Sequence, residues 1–552
     1  MYTDYIKESE IKPKLNLKWY NNEDLYSEGD IEDKIVEIIA SNPPEQYGDA
    51  VYDNFSWSTY YHLSGIRKNI LNWYPFKPHS SVLEIGCGLG AITGMLCDRC
   101  ETVTAVELSK RRATGALLRC REKENLEVIV GNLNDIEFDK KYDYITLIGV
   151  LEYQGSYTDT DNPYKDFIEK IKGLLKPDGT LLIAIENQYG LKYWCGANED
   201  HTGRPFDGIN QYATTQKGVR TFSKQSLREL IESAGISNTF FYYPMPDYKL
   251  PTVIYSEKYL PKNDIMNGMR PYYIPKNTKL IANEKSIYED VIKNNVFEFF
   301  ANSFLVECSM DEHLGDVVFS SLGSFRQPEY RIGTSFTKDG KVIKYALDEI
   351  GSAHIKETYG NAVKMRENGL SVLQDEYEGV ILKAPYVEAC TLDEKLAELY
   401  LDDDEDAVWS ILDKMYADIL KSSKELDYTE NILYTFGLEL EMDKEKYGPI
   451  IETGYLDMIP RNAFWKDDQL IWFDQEWTLE NVPARFVMYR AIVRLYKDNP
   501  KLEQHIPSPK VIERYSLDKA WGEYQLLENL FSDAVIDNQE IAANLAISHT
   551  EQ

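Results

Sequence analysis

The first half of the chain alternates short apolar runs with amphipathic stretches, and each apolar run ends in glycine or an acidic residue. Val82-Leu83-Glu84-Ile85 runs into Gly86-Cys87-Gly88-Leu89-Gly90, after which Thr93-Gly94-Met95-Leu96 reads as a helix start. Val103-Thr104-Ala105-Val106 ends at Glu107, and Asp143-Tyr144-Ile145-Thr146-Leu147-Ile148 ends at Gly149. Leu174-Leu175-Lys176-Pro177-Asp178-Gly179 reads as a helix end and a turn, leading into a strand that stops at Glu186. Strands alternating with helical stretches predict a doubly wound, mostly parallel sheet. The apolar runs at 240–243 and 253–255 are expected to complete it as a final hairpin. An acidic lead-in, residues 1–50, carries one predicted helix near 31–39. Residues 57–67, rich in aromatic and basic side chains, either fold over a ligand or form a helix packed on the sheet.

The pattern changes after a stretch rich in proline and asparagine, which predicts a linker over 261–285. It includes Pro261-Lys262-Asn263-Asp264 and Pro275-Lys276-Asn277. Beyond it, Gly340-Lys341-Val342-Ile343-Lys344 reads as a turn and a strand with one inward lysine, followed by a helical stretch over 353–366. Tyr455-Leu456-Asp457 stands five residues before Asn462, and Leu470-Ile471-Trp472-Phe473 is an apolar strand ending in Asp474-Gln475-Glu476. The acidic run 402–406 reads as a solvated loop or helix start. The segment after about residue 517 reads as helical but lacks sustained heptads.

A strand opening into a glycine turn lets backbone approach a ligand closely, and a strand-tip carboxylate such as Glu107 suits ribose hydroxyls. A nucleoside cofactor follows, with S-adenosylmethionine and NAD both fitting the glycines alone. Glu84, placed to organise an ammonium group, and the later strand ends favour the former.

Composition narrows the partners. The chain has 552 residues, 91 acidic against 60 basic, and a formal net charge of −31. That surface disfavours a nucleic-acid backbone. The first residues carry no secretory-signal pattern, and no apolar run approaches the roughly 20 residues of a membrane span. A cytoplasmic protein is expected, with any membrane attachment peripheral and through a partner. The seven cysteines read as reduced thiols; Cys97 and Cys100 form one CxxC pair without a second pair at zinc-finger spacing.

These motifs together resemble the class I S-adenosylmethionine-dependent methyltransferases over about residues 55–257. The resemblance implies a Rossmann-like seven-stranded domain at 51–260. It also implies cofactor contacts from Tyr61, Arg67, Glu84, Gly86, Cys87, Gly88, Gly90, Glu107, Leu108, Asn132, Leu133 and Gly149. The polar and aromatic segment 186–208 leaves the ligand-binding edge of such a sheet. A hydroxyl acceptor wants a base, for which Glu186 or His201 is the candidate; a phosphate acceptor wants the cations Lys192 and Arg204.

In the second half, a lysine, an Asp-x4-Asn and a strand-end aspartate resemble, in order, a protein-kinase-like phosphotransferase. This implies a two-lobed α+β domain, with lobes at 286–387 and 388–530, a hinge at Ala384-Pro385-Tyr386-Val387, and a tail at 531–552. Lys344 is then expected on ATP phosphates and paired with Glu357, Asp457 as the base, and Asn462 and Asp474 on magnesium. The departures are a missing glycine-rich loop, Tyr455-Leu456 in place of His-Arg, and Asp-Gln-Glu in place of Asp-Phe-Gly. An inactive, binding or regulatory module stays open, as does a protein or small-molecule acceptor. The whole chain resembles the WbdD type of bifunctional methyltransferase/kinase that terminates bacterial O-antigen polysaccharides. That resemblance implies a glycan or glycan-phosphate acceptor and polysaccharide-assembly glycosyltransferases as partners.

Overall fold

The computed structural model describes the chain except residues 1, 25–26, 214–217, 263–268, 276–277, 403, 428–432, 436–437, 441–442 and 549–552. Parts of the expected linker (Asn263, Asp264, Lys276, Asn277) and of the acidic run (Asp403) thus lie outside the described residues. The chain divides into two compact units. One holds residues 1–324, 335–339 and 538–552; the other holds 325–334 and 340–537.

The first unit is built on one sheet. Its strands are β1 (Lys14–Asn16), β2 (Ser81–Ile85), β3 (Thr102–Glu107), β4 (Leu126–Val130), β5 (Tyr142–Ile148), β6 (Leu175–Glu186), β7 (Asn238–Met245), β8 (Val253–Ser256), β9 (Ser303–Ser309) and β10 (Val317–Leu322). They lie in the order β1-β4-β3-β2-β5-β6-β9-β7-β8-β10. The pairs from β1 to β6 are parallel, and β9 runs antiparallel to both neighbours. Central parallel strands are covered on both faces, which is why β2, β5 and β6 read as nearly continuous apolar runs. Their side chains, including Leu83, Ile145, Leu147, Leu181 and Ile183, are wholly buried.

The expected final hairpin forms, with Tyr243 opposite Tyr255, yet it does not complete the sheet beside β6. That place belongs to β9, which carries Ile183 opposite Val306 and Phe241 opposite Val306. Residues 286–324 therefore belong to the first unit and not to a second-domain lobe. The cause is an apolar strand, Phe304-Leu305-Val306, whose one charged neighbour, Glu307, is satisfied by Tyr74 and Tyr242 hydroxyls and the Gly315 N–H. The predicted turn at 176–179 is likewise absorbed into β6 as an irregularity, with Tyr142 opposite Leu175 and Tyr144 opposite Thr180.

Three further elements attach to this unit. The helix Ile31–Ser41 matches its prediction, and β1 adds a parallel strand that the lead-in did not announce. Residues 57–67 form the helix Trp57–Leu63 and the start of a 3-10 turn, Gly65–Ile70. The helix Asn538–Ala546, expected as a tail, is fixed here because Tyr60 and Ser64 donate to the Glu540 carboxylate at 2.8 and 3.1 Å.

In the second unit, strand Lys341–Ala346 pairs antiparallel with Ile381–Pro385, so Ala384 and Pro385 lie within a strand. The helix Ser352–Glu367 follows the first of these strands. A helical part then builds its core from Leu396, Leu412, Met415, Val487 and Ile492, around the strand pair Ile450–Tyr455 and Thr478–Pro483. A hairpin, Ala463–Lys466 with Gln469–Trp472, separates Asn462 from Asp474. Among the described residues no helix is long and apolar enough to cross a membrane.

Because β9 sits mid-sheet, its core contacts should be as costly to lose as those of β6. Phe304→Ala is expected to destabilise the first unit by about 3–5 kcal/mol, read by chemical denaturation. A loss below about 1 kcal/mol would place β9 outside the core.

Candidate functional site

A cavity of about 320 Å³ opens at the C-terminal edge of β2, β3, β5 and β6. Its floor is the glycine turn. Gly86 has φ +75°, and a Cβ there would come within 2.5 Å of the Val150 methyl, so the turn after β2 packs directly on the segment after β5. Glu107, at the tip of β3, accepts the Gly88 N–H at 2.8 Å and the Ser109 N–H at 3.0 Å. The carboxylate expected for ribose thus also clamps the glycine turn, with lone pairs left for hydroxyl donors.

Glu84 lies at the other side of the turn and accepts the Thr93 hydroxyl at 2.7 Å. Burial pushes its carboxyl up to about 7, opposed by that hydrogen bond and by the Arg67 charge. Arg67 is itself buried, donates to the Tyr248 and Lys249 carbonyls, and stacks 4.8 Å from the Tyr61 ring. Leu108, Asn132, Leu133, Cys87 and Gly149 line the same cavity. Asn132 also caps its own turn by accepting the Asn134 N–H. Gly90 does not line the cavity: a Cβ there would meet Ala116 Cα at 2.9 Å, so this glycine serves helix packing behind the turn. Cys97 and Cys100 are buried free thiols.

The acceptor side gathers Glu186, Lys192 and His201 against the cofactor side of the cavity. Glu186 ends β6 and is fully buried, and its Oε1 accepts from Lys249. His201 Nδ1 lies 3.0 Å from Glu199 Oε1, while Nε2 faces Glu152 at 3.6 Å and Glu186 at 3.8 Å. Burial alone would lower the imidazole's pKa, but Glu186, Glu152 and Glu199 together hold it well above the usual range. Lys192 is buried and already paired, with Asp200 at 2.9 Å and Asp247 at 3.6 Å. Arg204 lies in the exposed stretch 203–206 and does not line the cavity. The expected cation pair for a phosphate is therefore not assembled. Sequence reasoning missed Glu152, Asp247 and Lys249. Their signal was position: a polar residue just past β5, and a proline-flanked polar loop just past β7.

The second unit brings its own predicted residues together with one exchange. Lys344 is buried and pairs with Asp474 and, at 2.6 Å, with Glu476. Glu357, the expected partner, is exposed; its 3.9 Å neighbour is His354. Glu476 takes the lysine because it also meets Arg326 at 2.7 Å, so two cations cover its buried carboxylate. Asp457 accepts the Glu476 and Trp477 N–H groups, and burial together with Glu476 raises its pKa to about 7. Asn462 donates to the Asp457 and Asp474 carbonyls.

A glycine turn after the first core strand, an acidic tip on its neighbour, and the antiparallel β9 set against the run of parallel strands β1 to β6 are the features of a Rossmann-like class I methyltransferase domain. Residues 83–183 match the family model described as a methyltransferase domain. The chain is 30% identical over 163 residues to a malonyl-[acyl-carrier protein] O-methyltransferase of Priestia megaterium, covering 29% of this chain and 54% of that protein. It is 25% identical over 115 residues to nodulation protein S of Bradyrhizobium diazoefficiens, covering 21% and 53%. The chain thus spans little more than half the length of these curated relatives. A solved S-adenosylmethionine-dependent methyltransferase from Clostridium acetobutylicum aligns at 13% identity and TM-score 0.26, covering 50% of this chain and 96% of that one. S-adenosylmethionine is the cofactor such a domain implies, and the residues present fit it: an acid for an ammonium, a strand-tip acid for hydroxyls, and a close-approach turn between them.

Burial disfavours the ionised form of Glu84 in the fold. Its folded pKa lies above its unfolded value, so stability falls as pH rises from about 4.5 through about 7. Glu84→Gln should remove this slope, gaining about 2–3 kcal/mol on wild type between about pH 5 and about pH 8. Denaturant titration at both pH values checks it; a constant difference would contradict it.

Proposed function

We propose that the first unit transfers the methyl group of S-adenosylmethionine to an oxygen of a glycan or glycan-phosphate acceptor. In this reading the second unit is a kinase-like domain that phosphorylates the same acceptor with ATP and magnesium. Together they cap a surface polysaccharide in the manner of the O-antigen chain-terminating methyltransferase/kinases. The observation that carries the reading is that the Glu84–Gly86–Glu107 cradle and the Glu186–His201 pair share one cavity.

When bound, the cofactor supplies an electrophilic methyl group. Glu84 holds the ammonium end, Glu107 the ribose hydroxyls, and the glycine turn the backbone contact. Methyl transfer is an in-line displacement, so alignment and exclusion of water are the main tasks of the protein. Glu186, whose Oε2 has no hydrogen-bond partner, takes the proton that an acceptor hydroxyl gives up, and His201, kept protonated by its three acids, is oriented beside it. Trp57, Tyr61 and Tyr273 stack on one another along the cavity wall, an aromatic side of the kind against which sugars pack. The name of the Priestia relative, an O-methyltransferase, agrees with oxygen as the acceptor atom. A cytoplasmic site beside polysaccharide-assembly glycosyltransferases follows from the same reading.

A second reading keeps the methyltransferase and makes the second unit a binding or regulatory module. It is favoured by Lys344, whose charge Asp474 and Glu476 already neutralise.

Labelled S-adenosylmethionine and labelled ATP, incubated with candidate saccharides, test both readings. Methyl and phosphate label should enter the saccharide. Glu186→Gln should lower methyl transfer to a hydroxyl about 100-fold or more while S-adenosylmethionine still binds. Asp457→Asn should stop phosphate transfer. Label entering RNA or protein but never sugar overturns the acceptor, and methyl transfer by wild type without any phosphate transfer, unchanged in Asp457→Asn, selects the second reading.

A further inference from the structure

We propose that Glu152, Glu186 and His201 bind one divalent first-row metal ion in the acceptor half of the cavity. The role of that ion rests on the methyl-transfer reading above; its binding does not.

The three side chains offer one ligand atom each, all within 4.8 Å of one another. His201 Nε2 lies 3.6 Å from Glu152 Oε1 and 3.8 Å from Glu186 Oε2. Ligands about 2.0–2.2 Å from one ion stand about 3–4 Å apart, so the triangle needs little contraction. Rigid elements carry it: Glu186 closes β6, and Glu152 lies in the 3-10 turn Leu151–Tyr153 just past β5.

An independent observation points the same way. Glu152 Oε2 and Glu186 Oε2 are buried and have no hydrogen-bond partner. Their residues are 1% and 0% exposed. Buried carboxylate oxygens are costly to leave unmatched, and a cation is the usual remedy.

The surroundings are those of a ligand set. His201 Nδ1 lies 3.0 Å from Glu199, a carboxylate itself fixed by the His201 and Thr202 N–H groups and the Tyr212 hydroxyl. That arrangement orients the ring and turns Nε2 toward the other two acids. Glu186 Oε1 is anchored by Lys249, leaving Oε2 as its ligand atom. The positive charge nearby is matched by other acids. Asp200 and Asp247 take up Lys192, and Asp200 shares Lys249 with Glu186. Two carboxylate oxygens and one imidazole nitrogen suit manganese, iron(II) or zinc better than soft ions.

Bound there, the ion would hold an acceptor hydroxyl or phosphate oxygen and lower a hydroxyl's pKa, so that anionic oxygen meets the methyl donor without repulsion from the acids. Glu186 would then serve as a ligand instead of a base, His201 would release its Nε2 proton on binding the ion, and an acceptor hydroxyl's proton would pass to water.

The full chain, stripped with a chelator, is titrated with manganese(II) and, in parallel, zinc, followed by calorimetry and by the manganese resonance signal. One saturable ion per chain at this site is expected. Glu152→Gln, Glu186→Gln and His201→Asn should each weaken it at least about 10-fold. Manganese held in the second unit would survive all three and respond to Asp474→Asn instead. Absence of saturable binding by wild type overturns the proposal, as does binding unchanged in the three variants. If one variant fails to fold, the isosteric Glu152→Gln and the wild-type titration decide. S-adenosylmethionine binding to the chelated protein is measured separately. Cofactor binding without metal binding leaves the methyl-transfer reading standing and removes the ion; metal binding without cofactor binding does the reverse.

Discussion

The close approach of the turn after β2 to the segment after β5 is the constraint on which the first unit depends. With φ at +75° and only 2.5 Å between Val150 Cγ2 and the place where a Gly86 Cβ would stand, a larger residue would strain the turn and displace the Val150 side chain. Backbone, not side chain, therefore forms the cavity floor, with the Gly86 and Cys87 N–H groups held by the Val106 carbonyl. Glu107 then fixes the turn by taking the Gly88 N–H, while its other oxygen takes the Ser109 N–H of its own segment. The order of dependence runs from sheet packing to turn, from turn to carboxylate, and from carboxylate to cavity.

Buried acids at one sheet edge are the second theme. Glu84, Glu107, Glu152, Glu186, Glu199 and Asp247 are all at most 5% exposed. Placing carboxylates away from water costs stability unless each finds a partner. Glu107 and Glu199 find backbone N–H groups, Asp247 finds Lys192, and Glu186 finds Lys249. Glu84 is matched by a single hydroxyl, and Glu152 by an imidazole at 3.6 Å. A core built for stability alone would replace such groups with apolar side chains. Their retention around one cavity ties the expense to ligands.

The sequence made the parallel half of the sheet readable because strands buried on both faces become apolar runs, and their ends carry glycine or acid. It hid β9 for the opposite reason. Glu307 interrupts an apolar strand, and the helix Glu284–Lys293 stands before it, so the run reads as part of a new domain. The cofactor side was legible residue by residue, since its contacts come from strand tips whose order is local. The acceptor side was not, because Lys249 and Asp247 reach Glu186 and Lys192 across more than 50 positions of chain. Arg204 shows the limit of reading a loop as a block: Lys192 and His201 point into the cavity, while the tip between Thr202 and Asp207 is exposed.

The exchange of Glu357 for Glu476 carries the same lesson into the second unit and bears on how that unit would work. A lysine paired with an acid on the helix Ser352–Glu367 would depend on the position of that helix. Lys344 instead meets an acid two residues beyond Asp474, on the segment that also presents N–H groups to Asp457. Lysine, strand-end aspartate and buried aspartate are therefore held as one piece by a single stretch, 474–477. Arg326 and Lys344 both neutralise Glu476, and Asn361 secures the Gln475 carbonyl at 3.0 Å. Under the kinase-like reading, such a cluster is assembled by the fold itself, and the helix contributes a hydrogen bond instead of the ion pair.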